Sequence, residues 1–172
     1  VLDTRNSYET AIGAFAGAKD PQIERFTDFA NYVRLNMDPS RQKKIAMYCT
    51  GGIRCEKASA FMRAEGFEEV YHLKGGILKY LEEIAPGDSL WRGECYVFDR
   101  RVAVGQGLTT GRYSMCFCCG YPLMAEDKAH QHFEEGVSCA RCHGDRSDED
   151  KARFRTRHRQ MTRLDTAGSR DA

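Results

Sequence analysis

Short apolar runs alternate with amphipathic stretches through the first half of this chain. Val1–Asp3, Ile45–Tyr48 and Val70–Leu73 have the length of strands. Between them, Phe26, Phe29, Ala30 and Val33 share one face of a helical stretch over about 24–35. Ala58, Phe61 and Met62 share a face over about 56–65, with Gly66 placed to cap that helix. Strand–helix–strand alternation predicts an α/β fold with a parallel sheet flanked by helices. Pro86-Gly87-Asp88 marks a boundary. Beyond it Cys95–Phe98 and Val102–Val104 read as a β-hairpin turning at Asp99-Arg100-Arg101, followed by a Gly-rich stretch from Gly105 to Gly111. From Ser147 only Phe154, Met161 and Leu164 are large and apolar, so this end reads as a lone charged helix or a disordered tail. The expected organisation is an α/β domain over 1–88, a hairpin plus a Cys-rich module over 89–145, and the tail over 146–172.

Composition changes this picture only locally. A hydrophobic share of 41% is ordinary for a globular chain, and no apolar run approaches the ~20 residues that cross a bilayer. Membrane partners are therefore not expected. The net charge of +1 gives no global steer towards nucleic acid. The chain begins at Val1 inside a strand pattern, so it reads as a fragment. Of its eight cysteines, five fall in Cys116-x-Cys118-Cys119 and Cys139-x-x-Cys142, which is metal-ligand spacing more than a disulfide framework. With a reactive thiol elsewhere in the chain, this suggests a reducing, cytoplasmic location.

The reactive thiol is Cys49. The strand Ile45–Tyr48 delivers it to the turn Thr50-Gly51-Gly52, and Ile53, Arg54 and Cys55 lead into a helix. Free N–H groups of a loop and a helix start favour thiolate over thiol, and Arg54 adds a positive charge. Residues 49–55 are therefore the candidate nucleophile and its anion-binding loop. The competing reading is a buried structural cysteine.

Cys116-x-x-Cys119 and Cys139-x-x-Cys142 are separated by 19 residues, within the spacing of four-cysteine zinc sites. Four thiolates fill a tetrahedron and leave no open position, so the expected zinc is structural. Cys118 would be spare, and His130, His132 and His143 are alternative ligands. An iron–sulfur cluster and unligated cysteines are the rivals. No organic cofactor is evident.

Cys49-Thr50-Gly51-Gly52-Ile53-Arg54 resembles the active-site loop of the rhodanese superfamily, a Cys and an Arg five positions on. Asp3-Thr4-Arg5, Gly13–Ala18 and the turn Gly75-Gly76 resemble its flanking motifs, although the His and Pro usual in the second are absent. A narrower resemblance rests on Trp91-Arg92-Gly93-Glu94-Cys95-Tyr96-Val97-Phe98-Asp99-Arg100-Arg101-Val102-Ala103-Val104, on the Cys49–Lys57 loop and on Gly136-Val137-Ser138-Cys139-x-x-Cys142. These are similar to the TrhO (YceA-like) family of oxygen-dependent tRNA uridine hydroxylases, over roughly residues 1–160. The resemblance implies O₂-dependent hydroxylation of the wobble uridine to 5-hydroxyuridine, with molecular oxygen as co-substrate, tRNA as partner and Cys49 as the essential cysteine. It also implies a further N-terminal domain ahead of this segment.

A thiolate that adds at uracil C6 makes C5 nucleophilic enough to meet an oxygen species, and a Cys49 persulfide is a second form of the reagent. The alternative function is sulfur transfer from thiosulfate through that persulfide. A third is a non-enzymatic RNA-binding scaffold, against which the intact Cys49 and Arg54 argue. For RNA contact the candidate is the basic run Lys151, Arg153, Arg155, Arg157, Arg159 and Arg163, extended by Arg100, Arg101 and Arg112. Tyr48 is the candidate aromatic platform for a base.

Overall fold

The computed structural model describes the backbone of residues 1–168 and the side chains of residues 1–163. The end of the expected tail, residues 169–172, and the side chain of Leu164 lie outside what is described. Two compact units result, Val1–Gly111 and a second from Arg112 onward.

The first unit is built on three strands, β1 (Leu2–Asp3), β3 (Lys44–Tyr48) and β4 (Glu69–His72). They pair in parallel in the order β1-β3-β4. Helices α1 (Ser7–Thr10), α2 (Phe29–Asn36), α3 (Ile53–Ala64) and α4 (Gly76–Glu83) make the connections. This is the α/β architecture, a parallel sheet flanked by helices, that the alternating pattern predicts. The central strand β3 shows why it folds so: Ile45 and Met47 enter one core, with Leu2, Phe29, Val33 and Met62. Tyr48 enters a second, with Ile77, Leu81 and Trp91. Side chains alternate across a strand, so one short apolar run feeds two cores.

The segment after Pro86 is knitted into this unit. β5 (Trp91–Gly93) pairs antiparallel with β2 (Gly13–Phe15). β6 (Cys95–Tyr96) and β7 (Ala103–Val104) form the expected hairpin, and Val97 and Val104 pack on the second core.

A buried ion pair pins the start of the unit. Arg5 is fully buried and donates from Nε and Nη2 to Asp3, at 2.7 Å for Nη2–Oδ2. It also donates to the carbonyls of Gly13 (2.7 Å) and Glu9 (3.3 Å). Its guanidinium lies 5.1 Å from the Trp91 ring centroid and 5.8 Å from that of Tyr48. Such a charge is tolerated only because every donor has a partner.

In the second unit, β8 (Ser114–Met115) and β9 (Pro122–Leu123) form a small hairpin around the first Cys pair. The charged tail is helix α5 (Asp148–Gly168), with Asp148, Glu149 and Asp150 in its first turn, where acids suit the helix dipole. Among the described residues no helix is long and apolar enough to cross a membrane.

Candidate active site and metal centre

Strand β3 ends at Tyr48 and places Cys49 at the floor of a loop that turns straight into α3. Gly52 precedes the helix with φ +94°, a conformation only glycine adopts freely. That twist aims the Gly52 N–H at the Cys49 sulfur, 3.1 Å away. The loop is pinned from behind by α4, since Ile77 N donates to Cys49 O (3.0 Å) and Leu78 N to Thr50 O (3.1 Å). Gly76 must be glycine for this approach. A Cβ there would sit 2.5 Å from Thr50 O and 2.6 Å from Cys49 O.

The Cys49 thiol is held far below the ordinary cysteine range. The first cause is a hydrogen bond from the Cys55 side chain; burial opposes it, while the amides of Cys55 and Gly52 and the charge of Arg54 assist. Cys55 is pushed up by the same hydrogen bond, then by burial, and stays a thiol. Its sulfur also lies 3.6 Å from Thr4 Oγ1.

Arg54 is held chiefly by Glu9. Its Nη1 donates to Glu9 Oε2 at 2.5 Å, and its Nη2 to Glu9 Oε1 at 2.8 Å and Thr50 Oγ1 at 3.2 Å. Glu9 is fully buried and accepts from Thr50 Oγ1 (3.2 Å) as well. Sequence reasoning missed Glu9. The signal present was Asn6-Ser7-Tyr8-Glu9, a capping box in which the Glu9 carboxylate also accepts from Asn6 N at 3.2 Å.

Cys49, Thr50, Gly51, Ile53 and Arg54 line a pocket of about 370 Å³, together with Leu78, Val97, Phe98, Asp99 and Arg101. Gly52 and Cys55 lie buried behind it. Tyr48 does not reach this pocket. It is 1% exposed and its hydroxyl accepts from Phe15 N at 3.4 Å, so the expected platform is a core residue. As the last residue of β3 it points into the second core.

In the second unit Cys116, Cys119, Cys139 and Cys142 converge, with all four sulfurs within 4.8 Å of one another. Three separations are 3.9 Å (Cys116–Cys142), 3.8 Å (Cys119–Cys139) and 3.8 Å (Cys139–Cys142). Four thiolates at ~2.3 Å from one ion stand about 3.8 Å apart at tetrahedral angles. The cluster therefore fits a single metal ion. Disulfides would need far shorter contacts, and a multi-iron cluster would spread its thiolates over several irons. The expected substitute ligands take no part: the His132 ring stacks on His143 at 4.3 Å and contacts His130 at 5.2 Å. Cys118 is outside the set.

Helix α5 sorts the basic run by face. Lys151, Arg155, Arg159 and Arg163 follow at intervals of four on one side, whereas Arg153 and Arg157 lie on the other. Arg153 pairs with Asp150, and Arg155 with Glu134 at 2.5 Å. Arg157 Nη2 donates to Phe117 O at 3.2 Å, and Arg159 Nε to Arg155 O at 3.3 Å. Of the suggested extensions, Arg101 is paired with Asp99 at 2.7 Å.

Residues 1–83 match the rhodanese-like domain family. Proteins named tRNA uridine(34) hydroxylase are similar over nearly the whole chain. That of Sinorhizobium fredii is 56% identical over 170 residues, which are 99% of this chain and 54% of that protein. That of Sinorhizobium medicae is 57% identical over the same shares. That of Brucella anthropi is 55% identical over 98% of this chain and 55% of its own length. The chain thus spans about half the length of the curated relatives it matches. A crystal structure of a rhodanese-like domain from Anabaena is 28% identical, covering 46% of this chain and 85% of its own, with a TM-score of 0.39.

Proposed function

As a homologue of the tRNA uridine(34) hydroxylases that carries a rhodanese-like domain, this protein, we propose, hydroxylates the wobble uridine of tRNA at C5 with molecular oxygen. The observation that carries the chemistry is the Cys49 sulfur held 3.1 Å from the Gly52 amide, at the floor of an open pocket.

Cys49 is the catalytic nucleophile. Its thiolate adds to C6 of the uracil, forming a C–S bond and moving the C5–C6 π pair to C5 and O4 as an enolate. The enolate carbon takes one oxygen atom derived from O₂. Loss of the C5 proton and departure of the sulfur from C6 restore the ring and the thiolate. Overall, uridine, O₂, two electrons and two protons yield 5-hydroxyuridine and water, so an external two-electron donor is required. The loop amides and Arg54 stabilise negative charge that develops beside the sulfur. Because Arg54 is anchored on Glu9, its position is fixed while part of its charge is balanced.

The four-cysteine cluster binds zinc, which stabilises the second unit and leaves no position open for a substrate. RNA phosphates meet the row Lys151, Arg155, Arg159 and Arg163 of α5, four cations at most on one face. The reaction belongs to the cytoplasm, with its tRNA substrate.

The test uses the full-length protein, tRNA lacking the modification, a reductant, and air or an anaerobic chamber. The reading predicts 5-hydroxyuridine only with oxygen and an intact Cys49. Turnover of thiosulfate to thiocyanate with cyanide, and no nucleoside product under either atmosphere, would instead assign sulfur transfer.

A further inference from the structure

Two of the large apolar side chains that the fold leaves in water, Ile53 and Phe98, line the same pocket as Cys49. Phe98 is 69% exposed, yet it directly follows Tyr96 and Val97, both buried. Phe98 belongs to neither apolar core. The ring is nevertheless held. Its edge meets Tyr96 at 5.2 Å and 70°, and Tyr96 in turn meets Tyr8 at 5.1 Å. On the pocket side the Arg54 guanidinium lies 5.9 Å from its centroid.

The chemistry of the walls selects among occupants. Leu78, Val97 and Phe98 are apolar, Arg54 and Arg101 bring guanidinium groups, and Asp99 bonds Arg101 and tempers its charge. At about 370 Å³ the space falls at the lower end of small-ligand sites, ~300–1,000 Å³. A small oxyanion such as thiosulfate would use the amides and cations and gain nothing from an aromatic wall. A planar, uncharged base joined to a phosphate uses both.

We propose that Phe98 is the stacking platform that receives the unstacked uracil and holds its C6 edge over the Cys49 sulfur. The inference rests on the hydroxylase reading and names the part of that site which recognises the base. It makes Phe98 a positioning residue: the ring fixes the plane of the base, and Cys49 does the chemistry. Stacking on one aromatic side chain accounts for roughly a tenfold or greater gain in affinity for a single-stranded base.

The test is photo-cross-linking of the full-length protein to an anticodon stem-loop RNA carrying 5-iodouridine at the wobble position. The halogenated base couples preferentially to an aromatic ring stacked on it, and mass spectrometry locates the adduct. The expected adduct is on Phe98, lost in Phe98→Leu and regained at the same position in Phe98→Trp. Phe98→Leu should also raise KM for tRNA about tenfold or more, with iodoacetamide labelling of Cys49 unchanged. An adduct elsewhere, no adduct, or an unaltered KM in Phe98→Leu overturns the platform. The hydroxylase reading is judged separately, by whether the wild-type protein forms 5-hydroxyuridine at all.

Discussion

Four charged residues connect the start of the chain to its reactive thiol. Asp3 holds Arg5, Arg5 holds the Glu9 carbonyl, and the Glu9 carboxylate holds Arg54 on the helix that follows Cys49. Removing one member of a buried pair leaves an uncompensated charge and costs ~3–5 kcal/mol. Arg5→Met should lose about that much in urea unfolding, whereas Asp3→Leu combined with Arg5→Met should recover a large part of it; a double-variant loss equal to the sum of the two single-variant losses would mean the pair is not coupled. The thiol permits a pH prediction. Because the Cys49 pKa is depressed, its thiolate persists as pH falls below neutral and is lost only once pH drops through the lowered value. Iodoacetamide labelling should therefore have a midpoint well below that of an ordinary cysteine. Cys55→Ala removes the largest stabilising hydrogen bond and should move the midpoint upward; a midpoint near that of free cysteine in the unaltered protein would contradict the site geometry. Cys49 was legible from sequence because its determinants are local: a strand, a Gly turn and a helix start within a few residues. Glu9 was not, because its bond to Arg54 spans 45 positions.

Elements carry the next level of control. Helix α3 begins at Ile53, three residues before the apolar periodicity becomes visible at Glu56, because Gly52 turns the chain directly into helix. That earlier start brings Arg54 into the first turn, close to the thiol. The loop also depends on α4. A Cβ at Gly76 would press on the Cys49 and Thr50 carbonyls, and φ +66° disfavours any other residue. Gly76→Ala should reduce Cys49 labelling at neutral pH severalfold, even in molecules that remain folded by circular dichroism. In α5 the linear run of cations hid a division that only helical geometry reveals. If phosphates meet the Lys151 row, replacing Lys151, Arg155 and Arg159 by Gln should lower the slope of log affinity against log salt by about 3. Replacing Arg153 and Arg157 should leave it nearly unchanged. Equal effects per residue would mean that RNA approaches from both faces.

On the scale of the molecule, two units draw on different sources of stability. The first has two apolar cores on either side of β3. The second has few large apolar side chains around its four thiolates, so its folding free energy is expected to come largely from metal binding. Chelation should melt the ellipticity of the region from Arg112 onward and release one equivalent of zinc, leaving the urea transition of the first unit in place. The parallel sheet, the hairpin and the four-cysteine set were readable because each is encoded by local pattern or spacing. The pairing of β2 with β5 was not, since three-residue strands carry no periodicity and Gly13 meets Gly93 only in the fold. The same distance hid the pocket. Cys49, Thr50, Gly51, Ile53 and Arg54 line it from one stretch of the chain and Val97, Phe98, Asp99 and Arg101 from another, and only the tertiary fold brings Phe98 into the same pocket as Cys49.

The central claim is that Cys49 performs hydroxylation of uridine in tRNA. The most direct measurement is nucleoside mass spectrometry of tRNA from cells deleted for the full-length protein and complemented with wild type or with Cys49→Ser. The account predicts that 5-hydroxyuridine and its derivatives return with wild type and stay absent with Cys49→Ser. Full restoration by Cys49→Ser would contradict it.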